Sequence, residues 1–109
     1  MTVEKKEGEA KLGDVSFTVV DLPGIYSLSP YSMEELVARK FIIEERPDAI
    51  IDIVDATNLE RNLYLTMQLL ELERPVVLAV NFMDEVEKKG DVIDCGRLAA
   101  NLGVPVVPI

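Results

Sequence analysis

The sequence contains no histidine and only one cysteine, Cys95, among its 109 residues. Without histidine the chain lacks the commonest general base and the commonest metal ligand, so imidazole catalysis and most zinc sites are excluded. A single cysteine cannot form a disulfide within the chain, as expected in a reducing cytosol.

Long hydrophobic runs and an excess of basic residues are also missing. No stretch approaches the roughly 18 apolar residues that span a bilayer, and the polar start MTVEKKEGEAK lacks the apolar core of a signal peptide. The 20 acidic and 11 basic side chains give a net charge of −9, which repels phosphate backbones. We therefore expect a soluble, unexported chain that does not bind nucleic acid; if its parent acts at a membrane, the membrane part lies outside these residues.

The apolar patterns predict one α/β domain with a mostly parallel sheet, because strand-like runs alternate with helical stretches. Hydrophobic residues make up 49% of the chain, enough for a core. The first two predicted strands form a hairpin around Gly13-Asp14, and Ser32 and Thr57 are candidate helix caps. We predict strands at 8–11, 15–20, 49–54, 76–80 and 104–109, and helices at 33–45, 59–73 and from Asp94 to Gly103.

The first candidate motif, Asp21-Leu22-Pro23-Gly24, follows the second predicted strand. Its carboxylate could hold magnesium through water, and a glycine amide there can approach a phosphate without a Cβ in the way. Asp, Pro and Gly also form ordinary turns, so a strand-ending turn is the alternative.

The second candidate motif, Asn81-Phe82-Met83-Asp84, follows the apolar run Pro75 to Val80. A carboxylate can accept two hydrogen bonds from the N1 and N2 donors of guanine, a pair that adenine does not offer. The alternative is a strand-to-helix turn in which Asp84 is the cap. Both motifs come at strand carboxyl ends, where α/β sheets bind ligands.

The order and spacing of these motifs resemble the third and fourth motifs of Ras-like GTPases, and the sequence as a whole resembles the GTPase domain of ferrous iron transport protein B. The segments TVEKKEG, DLPGIYSLSPYS, VDATNLERNLYLTMQLLE, NFMD and LGVPVVP are similar to those of the family in the same order. The resemblance implies a Ras-like P-loop NTPase fold, a three-layer α/β/α arrangement. It also implies that the first strand and the P-loop are missing from residues 1–109, which form a partial domain from the end of switch I to the strand before the fifth motif.

By this resemblance, Thr2 would bind Mg²⁺ from switch I, although a disordered terminal residue is the alternative. Asp21 would hold the magnesium ion through water, and Gly24 would sense the terminal phosphate of GTP. Asn81 and Asp84 would recognise guanine in GTP or GDP. Phe82 stands where many GTPases have a lysine whose stem covers the base, and its ring could stack there instead.

Three features depart from a complete GTPase. Residues 1–109 contain no Gly-x-x-x-x-Gly-Lys-Ser/Thr loop, and they stop short of the Ser-Ala segment of the fifth motif. Ile25 follows Gly24 where Ras-like enzymes have the glutamine that orients water, so we assign no catalytic residue. The resemblance implies slow hydrolysis in an intact domain, with K⁺ as a possible cofactor.

The family resemblance therefore predicts a GTP-binding domain that couples guanine-nucleotide binding to Fe²⁺ uptake through a membrane permease domain, at the cytoplasmic face of the inner membrane. The alternative is a truncated structural fragment that does not bind nucleotide by itself. Without the first strand, two sheet edges would remain open, so we expect marginal stability or self-association through them. Asp52 and Asp55 are expected to be polar edge positions or caps rather than metal ligands, and Tyr64 is expected in the core.

Overall fold

The computed structural model describes residues 6–22 and 33–109. The chain divides into two compact units, one that ends at Glu45 and one that runs from Arg46 to Ile109. In the described part of the chain, no helix is both long and apolar enough to cross a bilayer.

The first unit contains a β-hairpin and a helix. Strands β1 (Lys6–Leu12) and β2 (Val15–Asp21) pair antiparallel. Gly13 adopts a φ of 60°, which the two-residue turn between the strands requires and which glycine adopts without strain. The sequence prediction of a hairpin is confirmed.

Helix α1 spans Met33–Glu45, the bounds predicted from the sequence. Two glutamates in its first turn complement the partial positive charge of the helix amino end. Ala38 and Ile42, four residues apart, are its buried positions. Its predicted cap, Ser32, lies outside the described residues.

The second unit alternates strands and helices around a parallel sheet. Strands β3 (Ile50–Asp55), β4 (Val76–Asn81) and β5 (Val106–Pro108) lie in the order β3-β4-β5, all parallel. A 3₁₀ turn (Ala56–Asn58) and helix α2 (Leu59–Glu71) connect the first two strands, and helices α3 (Met83–Lys88) and α4 (Cys95–Leu102) connect the last two. Asp94 caps α4 by accepting a hydrogen bond from the Arg97 amide at 3.0 Å, and Gly103 ends it with a φ of 73°.

The core of this unit lies on one face of the sheet. Val54, Leu78 and Val80 are almost fully buried. Apolar side chains of the 3₁₀ turn, the helices and the connection between α3 and α4 complete the cluster: Ala56, Leu59, Leu63, Met83, Val86, Ile93, Leu98 and Leu102. Neighbouring strand residues point to opposite faces, and Ile51 and Ile53 are 69% and 63% exposed. Strand β3 thus has a buried face and an exposed apolar face.

The structure corrects the sequence predictions for Tyr64, for the start of α2 and for the final strand. Tyr64 is 61% exposed, because its neighbours Leu63 and Thr66 occupy the face of α2 that turns inward. Thr57 is not the cap of α2, contrary to the sequence prediction: a 3₁₀ turn precedes the helix, and Asn58 at the helix start makes no side-chain capping bond. The final strand is shorter than predicted and covers only Val106–Pro108.

Asp52 is neither a solvent-exposed polar position nor a cap, contrary to the sequence prediction. It is buried within β3, and its Oδ2 accepts a hydrogen bond of 2.5 Å from the hydroxyl of the fully buried Thr66 on α2. Burial raises the pKa of this carboxyl, and the Thr66 hydrogen bond opposes that rise only in part. The hydrogen bond between Asp52 and Thr66 therefore connects β3 to α2 through a carboxyl group whose charged form is disfavoured by burial.

We expect Asp52→Asn to stabilise the protein at neutral pH and to remove a pH dependence. Because the folded-state pKa of Asp52 is raised, its contribution to stability is fully present below the unfolded pKa and is lost as pH rises through the folded pKa. Urea denaturation of both proteins from pH 4 to pH 8 measures this. The unfolding free energy of Asp52→Asn, minus that of the unchanged protein, should increase as pH rises. A difference that does not change with pH would contradict the raised pKa of Asp52.

Candidate functional site

The carboxyl ends of two neighbouring parallel strands form the candidate site. In the register of β3 and β4, Val54 pairs with Val80 and Asp55 pairs with Asn81. Asp55 and Asn81 therefore lie side by side where their strands end. Parallel α/β sheets bind their ligands beyond this edge.

The connection from β4 to α3 is a single residue, Phe82. The Asn81 side-chain oxygen accepts a hydrogen bond of 2.9 Å from the Phe82 amide. The Phe82 carbonyl then accepts hydrogen bonds from the amides of Glu85 and Val86, at 3.1 and 3.4 Å, which begin the helix. Phe82 itself has φ 66° and ψ 29°, the left-handed region, and its side chain is 46% exposed.

Asp84 is the second residue of α3 and is not its cap, because the capping position belongs to Phe82. Its side chain is exposed. Among residues 6–22 and 33–109, no partner is found for its carboxylate. Met83, by contrast, packs against the core and anchors the start of the helix. The segment thus presents an exposed aromatic ring and an exposed carboxylate just beyond β4.

The neighbouring strand end is used for internal hydrogen bonds. Asp55 Oδ1 accepts from the amide of Thr57 at 2.8 Å and from its hydroxyl at 2.6 Å, and so caps the 3₁₀ turn. The Asp55 amide donates to Asn62 Oδ1 at 3.3 Å, and Asn62 Nδ2 donates to the Asn58 carbonyl at 2.8 Å. The prediction that Asp55 is a cap is confirmed.

The sequence reasoning missed Asn62 as a residue that supports the candidate site. Asn62 bridges the end of β3 and the start of α2 through its two hydrogen bonds. The available signal was a pair of asparagines four residues apart, Asn58 and Asn62, which share one side of a helix.

The residues of the first motif belong to the other unit. Asp21 is the last residue of β2, pairs with Lys6 across the hairpin and is exposed, and Leu22 is half-buried. Thr2, Pro23 and Gly24 lie outside the described residues. Within the described ranges, no group of three or more acidic or cysteine side chains stands close enough to hold a metal ion.

The three-stranded parallel sheet, the antiparallel hairpin and the connecting helices define a mixed α/β chain of the Ras-like P-loop NTPase class. The structure is similar to the G domain of the Methanococcus jannaschii FeoB protein, with a TM-score of 0.92 and 53% sequence identity over 97% of this chain and 68% of that one. It is also similar to the cytosolic domain of the T. maritima FeoB iron transporter in its GMPPNP form, with a TM-score of 0.91 and 41% identity over 99% of this chain and 43% of that one.

The family model for ferrous iron transport protein B matches residues 1–109, and the chain belongs to this family. The Fe(2+) transport protein A/Fe(2+) transporter FeoB fusion protein of Porphyromonas gingivalis is 57% identical over 109 residues, which cover 99% of this chain. The matched region is 13% of the length of that relative. Residues 1–109 correspond to part of the FeoB G domain.

We expect Asp55→Ala to destabilise the chain by about 1 kcal/mol, the usual loss when a capping side chain is removed. The alanine cannot accept the two hydrogen bonds from Thr57. Thermal unfolding followed by circular dichroism measures the loss. Asp55→Ser, which keeps an acceptor, should retain most of the stability; equal losses in both variants would show that the capping bond is not the cause.

Proposed function

We propose that this chain is part of a guanine-nucleotide-binding domain that couples nucleotide binding and slow hydrolysis to Fe²⁺ uptake. The observation that carries the proposal is the segment Asn81 to Asp84. It follows directly from a buried parallel strand, at the edge where such sheets bind ligands, and it ends in an exposed carboxylate.

The chemistry of Asp84 favours guanine. Its carboxylate offers two acceptor oxygens, which match the N1 and N2 hydrogens of guanine, whereas adenine presents an acceptor at N1 and no N2 amine. Asn81 contributes differently, because its side-chain oxygen is bonded to the Phe82 amide. We infer that Asn81 holds the backbone of the segment while Asp84 selects the base.

The phosphates and their cation require residues from elsewhere. We propose that Asp21 holds Mg²⁺ through water, since an exposed carboxylate suits a cation that keeps most of its waters. Thr2 and Gly24 would complete this site in the GTP state. Residues 1–109 contain no phosphate-binding loop, and we propose that in an intact domain such a loop binds the phosphates and contributes ligands for K⁺.

The related structures support nucleotide binding. The T. maritima FeoB cytosolic domain has been solved in GMPPNP and GDP forms, and this chain is 41% identical to it. The curated relative carries this region as a small part of an iron transporter. We propose that the domain lies at the cytoplasmic face of the membrane and that its nucleotide state acts on a membrane permease domain.

Asp84→Asn should weaken GDP binding about 10-fold or more, because an amide replaces one acceptor with a donor that opposes the purine hydrogens. Isothermal titration should be made with a cytosolic polypeptide that joins residues 1–109 to the upstream loop. Glu85→Gln, one residue along the same exposed helix turn, is the matched control and should leave the affinity unchanged.

Two results of that titration would contradict the proposal. One is a preference of the unchanged polypeptide for ADP over GDP. The other is the absence of any GDP binding, which would favour the structural fragment that does not bind nucleotide. The 109-residue chain alone should bind GDP far more weakly than the longer polypeptide, because it lacks the amides and the lysine of the loop.

We also propose that the 109-residue chain associates with itself through an open sheet edge. In the described residues β3 pairs only with β4, so its other edge leaves backbone groups unpaired. Ile51 and Ile53, both exposed, give this edge strand an apolar surface.

Ile51→Lys should shift the 109-residue chain toward the monomer, because a charged side chain on an edge strand opposes pairing. Sedimentation velocity over a range of concentrations measures the distribution, with Glu60→Lys on α2 as a control for the charge change. A chain that is monomeric at every concentration before substitution would exclude the association.

A further inference from the structure

Helix α3, which carries Asp84, is too short to fix its own orientation. It has six residues, and Phe82 at its capping position makes no side-chain capping bond. Helices of this length are marginal in water unless they pack against other parts of the protein. The position of the Asp84 carboxylate therefore depends on the elements that α3 packs against.

One of these elements is the 3₁₀ turn that follows β3. The turn lies against α3, and Ala56 of the turn is buried in the same apolar cluster as Val86 of the helix. Met83, the neighbour of Asp84, also packs against this cluster. A displacement of the turn would therefore move α3 and Asp84 with it.

A single side chain, Asn62 on α2, binds both ends of the 3₁₀ turn. Its Oδ1 accepts a hydrogen bond of 3.3 Å from the amide of Asp55, the residue before the turn. Its Nδ2 donates a hydrogen bond of 2.8 Å to the carbonyl of Asn58, the last residue of the turn. An amide side chain can make both bonds, whereas a carboxylate of the same shape can only accept. The cap from Asp55 to Thr57 reaches only the first half of the turn, so its end depends on Asn62.

We propose that Asn62 is a positioning residue for nucleotide binding, which keeps the 3₁₀ turn in place against α3 and so fixes where Asp84 meets the base. Asn62 acts through α3 and does not contact the nucleotide. This role rests on the proposed function, and it adds a residue of the β3 connection to a site at the end of β4. The effects of Asn62 and Asp84 on binding are therefore coupled.

Asn62→Ala should weaken GDP binding about 3- to 10-fold in a polypeptide that contains the phosphate-binding loop, because the loss of two hydrogen bonds lets α3 shift. It should also reduce the preference for GDP over inosine diphosphate (IDP), whose base lacks the N2 amine that Asp84 would bind. Isothermal titration with both nucleotides measures the two effects. The matched control is Asn58→Ala, which removes a side chain that makes no capping bond and keeps the carbonyl that Asn62 needs. It should change neither affinity.

A double-mutant cycle shows whether Asn62 acts through Asp84. If it does, Asn62→Ala should lower GDP affinity much less in a polypeptide that already carries Asp84→Asn, because the position-dependent hydrogen bonds to the base are already lost. Equal fold losses in the two backgrounds would show that the residues act independently, and they would overturn the positioning role.

A second variant, Asn62→Asp, tests the same role if the alanine variant does not fold. Aspartate has the shape of asparagine and keeps an acceptor for the Asp55 amide, but it cannot donate to the Asn58 carbonyl. Its added negative charge repels the phosphates of GDP and IDP alike, so the ratio of the two affinities isolates the recognition of the base. This ratio should fall toward the value measured for Asp84→Asn.

The outcomes separate the positioning role from the proposed function. If the unchanged polypeptide prefers GDP to IDP and neither substitution of Asn62 alters that preference, the positioning role is wrong and the proposed function stands. A loss of affinity that is equal for GDP and IDP falls under this outcome. If the unchanged polypeptide binds no guanine nucleotide, or binds GDP and IDP equally, both proposals fail.

Discussion

The in-register parallel pairing of β3 with β4 is the constraint on which the candidate site depends. It fixes Asp55 beside Asn81 at one edge of the sheet, so the two connections that leave this edge start from neighbouring points. One connection passes through the capped 3₁₀ turn into α2, and the other passes through Phe82 into α3. A shift of register by one residue would exchange the faces of every strand residue and expose Val54 in place of Ile53.

The two connections both lead the chain from the end of a strand into a helix, but they do so in different ways. At the end of β3, side chains accept hydrogen bonds from backbone amides. Asp55 accepts from the amide of Thr57, and Asn62 on α2 accepts from the amide of Asp55. At the end of β4, a single residue adopts a rare conformation and leaves its ring exposed. The first arrangement favours stability. The second leaves an aromatic ring and a carboxylate available to a ligand, which is why the proposed binding role falls on the β4 connection.

Much of the fold follows from local patterns in the sequence. The continuous apolar run of β4 and the capping residue Asp94 correctly predicted a buried strand and the last helix, because both signals are local. Tyr64 was misjudged because a leucine-rich helix does not reveal by composition which of its sides is buried. Asp52 was misjudged because its partner, Thr66, lies fourteen residues away on another element, a separation that strand periodicity cannot reveal.

For the candidate site, the sequence identified the segment Asn81 to Asp84 through its order relative to the strands. It could not show that Asn81 bonds to the backbone of its neighbour, or that Phe82 has a left-handed backbone, because both depend on the one-residue length of the connection. The hydrogen bonds from β3 to α2 have a further consequence. The bonds of Asp52 with Thr66 and of Asp55 with Asn62 connect the strand to the helix at two points, one turn apart along α2. We therefore expect the strand and the helix to open as one cooperative element, with amide hydrogens that exchange with solvent on a common time course.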